Sequence, residues 1–337
     1  MVLILQFKRF EKYLFHLIFY TMPFEKLEKF NGEAEKRNNK KQEQKVEMEC
    51  GKDVHEIITC MRHGPKEGIN TTLSEKAEEN IQKSVGDFNL AKDGIKIFTS
   101  ESKPERCQET GKIISKLLKD YKREQRTVRP LTGLKESFTT EKEEESFKKV
   151  VNSFLPENYE ILPLDEKRKA ERQMENKIMV YFLEDSFPKL IEQLERERGE
   201  AFPSRMEKFS HLETASRFAE WTELYINASK WLPNKTEINL INVSHEFNLM
   251  GFLKEAMIFE DGIRAKGLKA KKFLEKIGGS IEPAEFFEID VKREDKDNFT
   301  ISLKFRGKNY NLDFSRIEEL TELAKQKRME KSKQGKN

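Results

Sequence analysis

Two histidines stand just beyond stretches that predict buried strands. The first stretch, residues 56–61, is rich in apolar and β-branched side chains and leads directly into Arg62, His63 and Gly64. A second apolar stretch ends two residues before His245. Polar residues beyond the carboxyl ends of strands in an open α/β sheet are placed to touch a ligand, and an imidazole can attack or exchange a proton near neutral pH. These two strand ends therefore predict an active site.

Two arginines near these strand ends have side chains suited to binding an oxyanion. Arg62 precedes His63, and Arg106 falls in the first turn of a predicted helix, where free N–H groups and the helix dipole favour an anion. A guanidinium stays charged and presents a planar fork that fits phosphate. Gly64 would let backbone and phosphate approach closely. Because a phosphoryl group in transit spreads negative charge over its oxygens, these residue types point to phosphoryl transfer.

The elements that must position these residues alternate between strand and helix in the first half of the chain. Helices are predicted at about 72–88 and 104–118, each between two strands, and this order indicates a parallel sheet. Near the carboxyl end, alternating apolar and polar residues predict antiparallel strands with a tight turn at 306–308. The predicted strands are residues 56–61, 95–99, 126–131, 237–243, 285–291, 299–305 and 309–314.

The predicted fold is a three-layer α/β/α sandwich with a mostly parallel central sheet, an antiparallel edge and a helical insertion at about 140–205. We see no pattern that carries chemistry in this highly charged insertion, although insertions at this end of a sheet often shape a lid. We divide the chain into an apolar helix and charged linker at 1–50, an α/β domain at 51–315, and a charged carboxyl-terminal tail at 316–337.

The amino-terminal residues 1–22 are dense in Leu, Ile, Phe and Tyr. Charged residues at positions 8, 9, 11 and 12 leave no apolar run long enough to span a bilayer, and no small-residue site follows for cleavage of a secretory signal. Three interpretations stay open: an amphipathic helix at a membrane surface, a helix packed on the domain, and an extension upstream of a start at Met22.

The composition narrows the classes of partner and site. Charged and hydrophobic residues each make up 36% of the 337 residues, which predicts solvated helices or tails. The net charge of +3, from 63 basic and 60 acidic residues, does not favour a nucleic-acid partner. Cys50, Cys60 and Cys107 lack Cys-x-x-Cys spacing and are accompanied by only five histidines, so neither a disulfide framework nor a zinc site is indicated. We expect a reducing, cytoplasmic setting.

The two histidine motifs resemble those of a known superfamily of enzymes. The tripeptide 62–64 matches the Arg-His-Gly of the histidine phosphatases, the phosphoglycerate-mutase-like superfamily. Residues 243–245 resemble the start of its late Val-Ser-His-Gly motif, with Glu246 in place of Gly. The resemblance covers about 56–136 and 212–314, and it implies the three-layer α/β/α fold predicted above.

Two further stretches match the same superfamily in the order in which its motifs occur. Residues 73–77 are similar to its Leu-Thr-x-x-Gly helix start, with Ser for Thr and Ala77 for Gly. Residues 102–110 are similar to its Ser-x-x-x-Arg-Ala-x-Gln-Thr, from which Cys107 and Glu109 depart. No single one of these short motifs is specific, but their common order makes the resemblance strong.

The resemblance implies a role for each matched residue. His63 would attack phosphorus and form a phosphohistidine, which water then hydrolyses. For this attack, one ring nitrogen must be unprotonated while a carbonyl holds the other. Arg62, Arg106 and His245 would bind the transferred phosphoryl group. The superfamily implies neither a metal ion nor a cofactor for this chemistry.

An acid must also protonate the leaving oxygen, and the sequence offers two candidates. Glu136 matches the Leu-x-Glu pattern of the mutase-like branch of the superfamily. Glu246 is the alternative acid, because residues 245–248 resemble the His-Asp-x-Asn of the acid-phosphatase branch. The chain lacks that branch's Arg-His-Gly-x-Arg-x-Pro, so we favour Glu136.

The function predicted from the sequence is a phosphatase that hydrolyses a small-molecule phosphomonoester, whose identity the sequence does not give. A phosphoglycerate-type phosphomutase is one alternative, which would use the same residues but must protect the phosphohistidine from water. A non-catalytic phospholigand-binding or scaffold protein is the other, because Ala77, Glu109 and Glu246 depart from the superfamily's pattern. The sequence does not indicate an oligomeric state.

Overall fold

The computed structural model describes residues 49–65, 73–74, 76–100, 105–121, 125–131, 141–207 and 209–334. Within these residues, eight strands form one sheet. The strands are β1 (Val54–Arg62), β2 (Gly94–Ser100), β3 (Gln125–Leu131), β4 (Glu237–Ser244), β5 (Met257–Ile258), β6 (Phe286–Arg293), β7 (Phe299–Phe305) and β8 (Lys308–Leu312). Their order across the sheet is β3-β2-β4-β1-β6-β7-β8-β5. All except the two-residue β5 coincide with strands predicted from the sequence.

The sheet has a parallel half and an antiparallel half. Strands β3, β2, β4 and β1 run parallel, whereas β1–β6, β6–β7, β7–β8 and β8–β5 are antiparallel pairs. The antiparallel part is therefore wider than the predicted edge. Its last strands are joined by a tight turn rather than by a helical crossover, and Arg306 and Gly307 take φ values of 51° and 72° in that turn.

The central strand β1 pairs with β4 in a register that sets the position of the histidines. Arg62 lies opposite Ser244, the last residue of β4. The backbone N–H of His63 donates to the Ser244 carbonyl at 3.0 Å, which extends the pairing by one residue. Because the two strands are parallel, the residues that follow them, His63 and His245, emerge at the same edge of the sheet.

Helices cover both faces of the sheet and confirm the predicted three-layer fold. Two apolar cores lie on opposite faces, as the alternation along β2 shows: Ile95 and Ile97 join the smaller core, and Phe98 joins the larger one. The first two helices pack in the smaller core. The helices are α1 (Ala77–Gly86), α2 (Arg106–Leu117), α3 (Glu141–Phe154), α4 (Leu164–Leu183), α5 (Phe187–Arg198), α6 (His211–Ala228), α7 (Glu246–Ala256), α8 (Ala270–Ile277) and α9 (Phe314–Gln334).

The predicted insertion forms helices α3, α4 and α5, which pack on the larger core. Phe182 and Phe187 are fully buried, and the ring of Phe182 meets that of Phe247 on α7 in an edge-to-face contact with 4.7 Å between centroids. The charged residues of α4 and α5 are exposed or half-buried, while apolar residues at helical spacing face inward. The insertion is therefore fixed to the α/β layers by apolar packing rather than projecting from them.

The segment predicted as a charged carboxyl-terminal tail begins with helix α9. Ile317, Leu320 and Ala324 are buried, and the helix packs against α6. Their spacing of three and four residues places them on one face, which explains why a highly charged segment can still pack. Of the predicted amino-terminal segment 1–50, only Glu49 and Cys50 are described, and the rest lies outside the described residues. None of the described helices is long and apolar enough to cross a membrane.

A network of charged residues around His211 joins helices α6, α7 and α9 to the turn between α4 and α5. At the start of α6, Nδ1 of His211 lies 3.0 Å from the carboxylate of Asp185, and Nε2 lies 3.1 Å from that of Glu255 on α7. Arg316 on α9 donates to the same Glu255 carboxylate at 2.5 Å. Burial alone would lower the pKa of His211, but the hydrogen bonds to the two carboxylates outweigh it and raise the pKa to about 9.

We expect the substitution His211→Gln to lower the free energy of unfolding by about 2 kcal/mol near pH 6, because it leaves the Asp185 carboxylate without this cation and the buried Glu255 carboxylate with Arg316 alone. The folded pKa of about 9 lies above the ordinary value of 6.5. The contribution of His211 to the free energy of unfolding is therefore complete below about pH 6.5 and is lost as the pH rises through about 9.

Urea unfolding of both proteins at several pH values measures this difference. The control is His55→Gln, since His55 pairs with Asp290 at a more exposed position and its loss should change little. A destabilisation by His211→Gln that is the same at pH 6 and above pH 9 would contradict the prediction.

Candidate active site

The imidazole of His63 is held in one orientation just beyond β1. The side chain is 5% exposed, and its Nδ1 lies 2.8 Å from the carbonyl oxygen of Gly64. Because a carbonyl can only accept, Nδ1 carries the proton in the neutral ring and Nε2 keeps its lone pair. Burial, and then the charges of Arg106, His245 and Arg62, hold the pKa of His63 well below its ordinary value. Near neutral pH the ring is therefore uncharged and chemically suited to attack an electrophile through Nε2.

The structure brings His245 next to His63. Their ring centroids are 5.4 Å apart, and the ring planes are inclined by 68°. His245 is the residue before α7 and is 1% exposed. Its Nε2 lies 3.6 Å from the sulfur of Cys107 on α2, a residue that departs from the superfamily's motif. The histidines that follow two parallel strands thus meet in one buried site, as their places in the sequence predict.

Arg106 is the first residue of α2, where the sequence predicted it to lie in an opening turn of helix. Among the charged groups that lower the pKa of His63, its guanidinium has the largest effect. Such an effect requires the guanidinium to lie close to the imidazole. Arg106 therefore adds positive charge at His63 together with the free N–H groups at the start of α2.

Gly64 has a packing role that the sequence did not indicate. A Cβ at this position would lie 3.0 Å from Ile81 and 3.4 Å from Ala77, both on α1. The backbone N–H of Gly64 donates to Thr110 on α2 at 3.0 Å. The missing side chain thus lets α1 approach the strand end closely, and the hydrogen bond joins the strand end to α2.

Arg62 contacts carboxylates rather than facing an open space. Its Nη2 lies 2.9 Å from an oxygen of Glu175 and 3.0 Å from an oxygen of Glu246, and its Nη1 donates to the carbonyl of Ile281 at 2.7 Å. The sequence predicted Arg62 as a phosphate-binding residue. For its fork to bind a phosphoryl group, at least one of these carboxylates must move away from it.

Glu246, the alternative acid, begins α7 inside the site. It is 8% exposed, and burial raises its pKa to about 7, against the lowering effect of Arg62 and with a further rise from the negative charge of Glu175. A carboxyl group with this pKa can donate and recover a proton near neutral pH. Glu136, the acid favoured from the sequence, lies outside the described residues, as do Ser102, Lys103 and Pro104.

Glu175 and Arg172 on α4 belong to the site, although the sequence analysis assigned no chemistry to the insertion. Glu175 pairs with Arg62, and Arg172 donates to the carbonyl oxygen of Ser280 at 2.5 Å and lies 3.2 Å from Glu282. Both are single charged residues in a helix rich in charge, so nothing in the local pattern distinguishes them. Only the docking of α4 against the strand end reveals them.

The loop after α8 is held by arginines from three different elements. Its carbonyls accept hydrogen bonds from Arg62 at Ile281, from Arg172 at Ser280, and from Arg306 at Gly279 and Ser280. In the same loop Gly278 and Gly279 have φ values of 85° and 97°, which L side chains rarely adopt. This backbone conformation turns successive carbonyls toward the three guanidinium groups, and Arg62 thereby joins the loop to the end of β1.

Comparison with known proteins gives structural similarities only. No family model matches the chain, and no curated protein sequence matches it. The chain is similar to a mycobacterial glucosyl-3-phosphoglycerate phosphatase, with 12% identity, 74% of this chain and 97% of that chain covered and a TM-score of 0.38. It is also similar to the phytase of Hafnia alvei, with 10% identity, 77% of this chain and 84% of that chain covered and a TM-score of 0.34. A third similar structure is a phosphoserine phosphatase of Entamoeba histolytica, with 14% identity, 69% of this chain and 90% of that chain covered and a TM-score of 0.33.

These three proteins are members of the histidine phosphatase superfamily, which the motifs of this chain resemble. The identities and TM-scores are too low to carry an assignment of activity to this chain, which must rest on the geometry of its own site.

We expect the three cysteines to differ in reactivity according to how deeply each thiol is buried. Cys60 and Cys107 are fully buried, and burial raises the pKa of the Cys60 thiol well above its ordinary value, whereas Cys50 is partly exposed. Since the thiolate is the reactive form, a disulfide reagent such as 5,5′-dithiobis(2-nitrobenzoate) should modify one thiol of the folded protein and all three after unfolding.

The substitution Cys50→Ser is the matched control and should remove the reaction of the folded protein. Rapid modification of Cys107 in the folded Cys50→Ser variant would show that the surroundings of His245 are open to solvent, contrary to the buried site described above.

Proposed function

We propose that this chain is a phosphatase of the histidine phosphatase superfamily that hydrolyses a small phosphomonoester through a phosphohistidine on His63. The observation that supports this most is the neutral imidazole of His63, whose Nδ1 is held by the Gly64 carbonyl beside His245 and Arg106. This arrangement leaves the nucleophilic nitrogen unprotonated and surrounds the place of attack with donors. The resemblance of the motifs implies that the reaction needs no metal ion.

In the first step, the lone pair of His63 Nε2 forms a bond to phosphorus while the bond from phosphorus to the ester oxygen breaks. Arg106 and His245 offset the charge that spreads over the phosphoryl oxygens. An acid gives its proton to the leaving oxygen, so that the product departs as a neutral alcohol. In the second step water attacks phosphorus, the bond to Nε2 breaks, and the acid recovers a proton from the attacking water.

We propose Glu246 as that acid. It is buried at the start of α7, directly after His245, and its pKa of about 7 allows it to hold a proton when the enzyme meets its substrate. The contact with Nη2 of Arg62, at 3.0 Å, holds its carboxyl group at the end of β1. Glu136 remains the acid predicted from the mutase-like motif, and the two assignments differ in a measurable way.

The substitution His63→Ala should abolish hydrolysis of 4-nitrophenyl phosphate in the presence of a chelator, lowering kcat by about a thousandfold or more, because it removes the nucleophile that forms the phosphohistidine. The matched control is His55→Ala, a histidine at the opposite end of β1, which should keep full activity. A folded wild-type protein without turnover on a broad panel of phosphomonoesters would instead favour a phospholigand-binding or scaffold protein.

The substitution Glu246→Gln should lower kcat/KM for an alkyl phosphate about a hundredfold while leaving kcat/KM for 4-nitrophenyl phosphate nearly unaffected. The ratio kcat/KM reports the first step, in which an alkoxide needs protonation far more than a nitrophenolate does. Glycerol 3-phosphate is a suitable alkyl ester. The parallel variant is Glu136→Gln. If Glu136→Gln gives this pattern and Glu246→Gln does not, the acid is Glu136.

A further inference from the structure

Two carboxylates of the site contact the same nitrogen atom of Arg62. Nη2 of Arg62 lies 2.9 Å from an oxygen of Glu175 and 3.0 Å from an oxygen of Glu246. Since both oxygens lie about 3 Å from the same atom, they are within about 6 Å of each other, a distance at which like charges disfavour each other's ionisation. The side chains of Glu175 and Glu246 are only 20% and 10% exposed, so water screens this repulsion weakly.

The charges around Glu246 do not balance two ionised carboxylates. The charged groups that act on Glu246 are Arg62 at the end of β1, and Glu175 and Arg172 on α4, while Ser280 adds a polar side chain. Arg62 is shared between the two carboxylates, and Arg172 lies nearer to Glu282 than to Glu175, at 3.2 Å against 3.8 Å. One of the two carboxyl groups is therefore stabilised by holding a proton.

The position of Glu175 is fixed by the helix that carries it. On α4, Arg172 and Asn176 both bind Ser280, the first to its carbonyl and the second to its backbone N–H at 3.1 Å. On the inner face of the same helix, Met174 and Ile178 are buried in the larger core. Glu175 is thus held against Arg62 by contacts on both sides of it. Because Glu246 is more deeply buried than Glu175, Glu246 is the carboxyl group that holds the proton.

We propose that Glu175 is a positioning residue that keeps Glu246 in its protonated form by sharing Arg62 with it, and thereby sets the upper pH limit of the step in which the leaving oxygen is protonated. This inference rests on the proposed function, in which Glu246 is the acid. It gives helix α4 of the insertion a part in the chemistry, although Glu175 itself does not touch the reacting atoms. The pKa of Glu246, about 7, agrees with this role.

The test is the isosteric substitution Glu175→Gln, which removes the charge and keeps a side chain that can bind Arg62. In this variant Glu246 no longer shares the guanidinium with a second negative charge, so the pKa of Glu246 should fall. The alkaline limb of kcat/KM for glycerol 3-phosphate should then move to lower pH by about one unit. The limb for 4-nitrophenyl phosphate, which needs no acid, should not move.

The matched control is Glu282→Gln, which removes an exposed carboxylate that pairs with Arg172 and not with Arg62. It loosens the attachment of α4 to the loop without changing the charges on Arg62. We expect its pH profile to equal that of the wild type. If Glu175→Gln lowers the thermal stability but leaves both pH profiles in place, Glu175 is only a tether for α4 and the proposal is wrong.

A second measurement does not depend on activity. The carboxyl carbon of Glu246 can be followed by ¹³C NMR and assigned by its loss in Glu246→Gln. Its titration midpoint should be lower in Glu175→Gln than in the wild type. An unchanged midpoint overturns the inference. An inactive wild-type protein would overturn the proposed function but not this inference. The titration would still show whether Glu175 controls the proton on Glu246.

Discussion

The parallel pairing of β1 with β4 is the constraint on which the site depends. Arg62 lies opposite Ser244, and the hydrogen bond from His63 to the Ser244 carbonyl continues the ladder past the strand ends. A shift of one residue in this pairing would turn the side chains of one strand to the other face of the sheet. His63 and His245 meet because two buried strands with apolar residues on both faces fix this register.

The sequence predicted the strands and the general layering of the fold, because apolar runs and turn residues are local signals. It did not predict how wide the antiparallel half would be. The pairing of β6 with the central β1 joins segments more than 220 residues apart, and a periodic pattern does not specify the neighbour of a strand. The packing of α9 was likewise missed, since Ile317, Leu320 and Ala324 form a narrow apolar stripe within a highly charged segment.

The same distinction explains which site residues could be predicted. His63, His245, Arg62 and Arg106 lie at the ends of strands or the start of a helix, where sequence position alone indicates proximity to a ligand. Glu175 lies in the middle of a helix, and its contact with Arg62 exists only because α4 packs across the strand end. A contact that depends on tertiary packing in this way cannot be predicted from the local sequence pattern.

The loop at Gly278 and Gly279 joins three parts of the molecule through its carbonyl groups. Arg62 reaches it from the central strand, Arg172 from the inserted helix and Arg306 from the distal hairpin. Each guanidinium needs the loop in the same shape, so the three parts cannot vary independently. A change in the length or position of α4 would therefore also disturb the surroundings of Arg62 and Arg306. Helix α4 is not a detachable module but part of the framework that holds the candidate site.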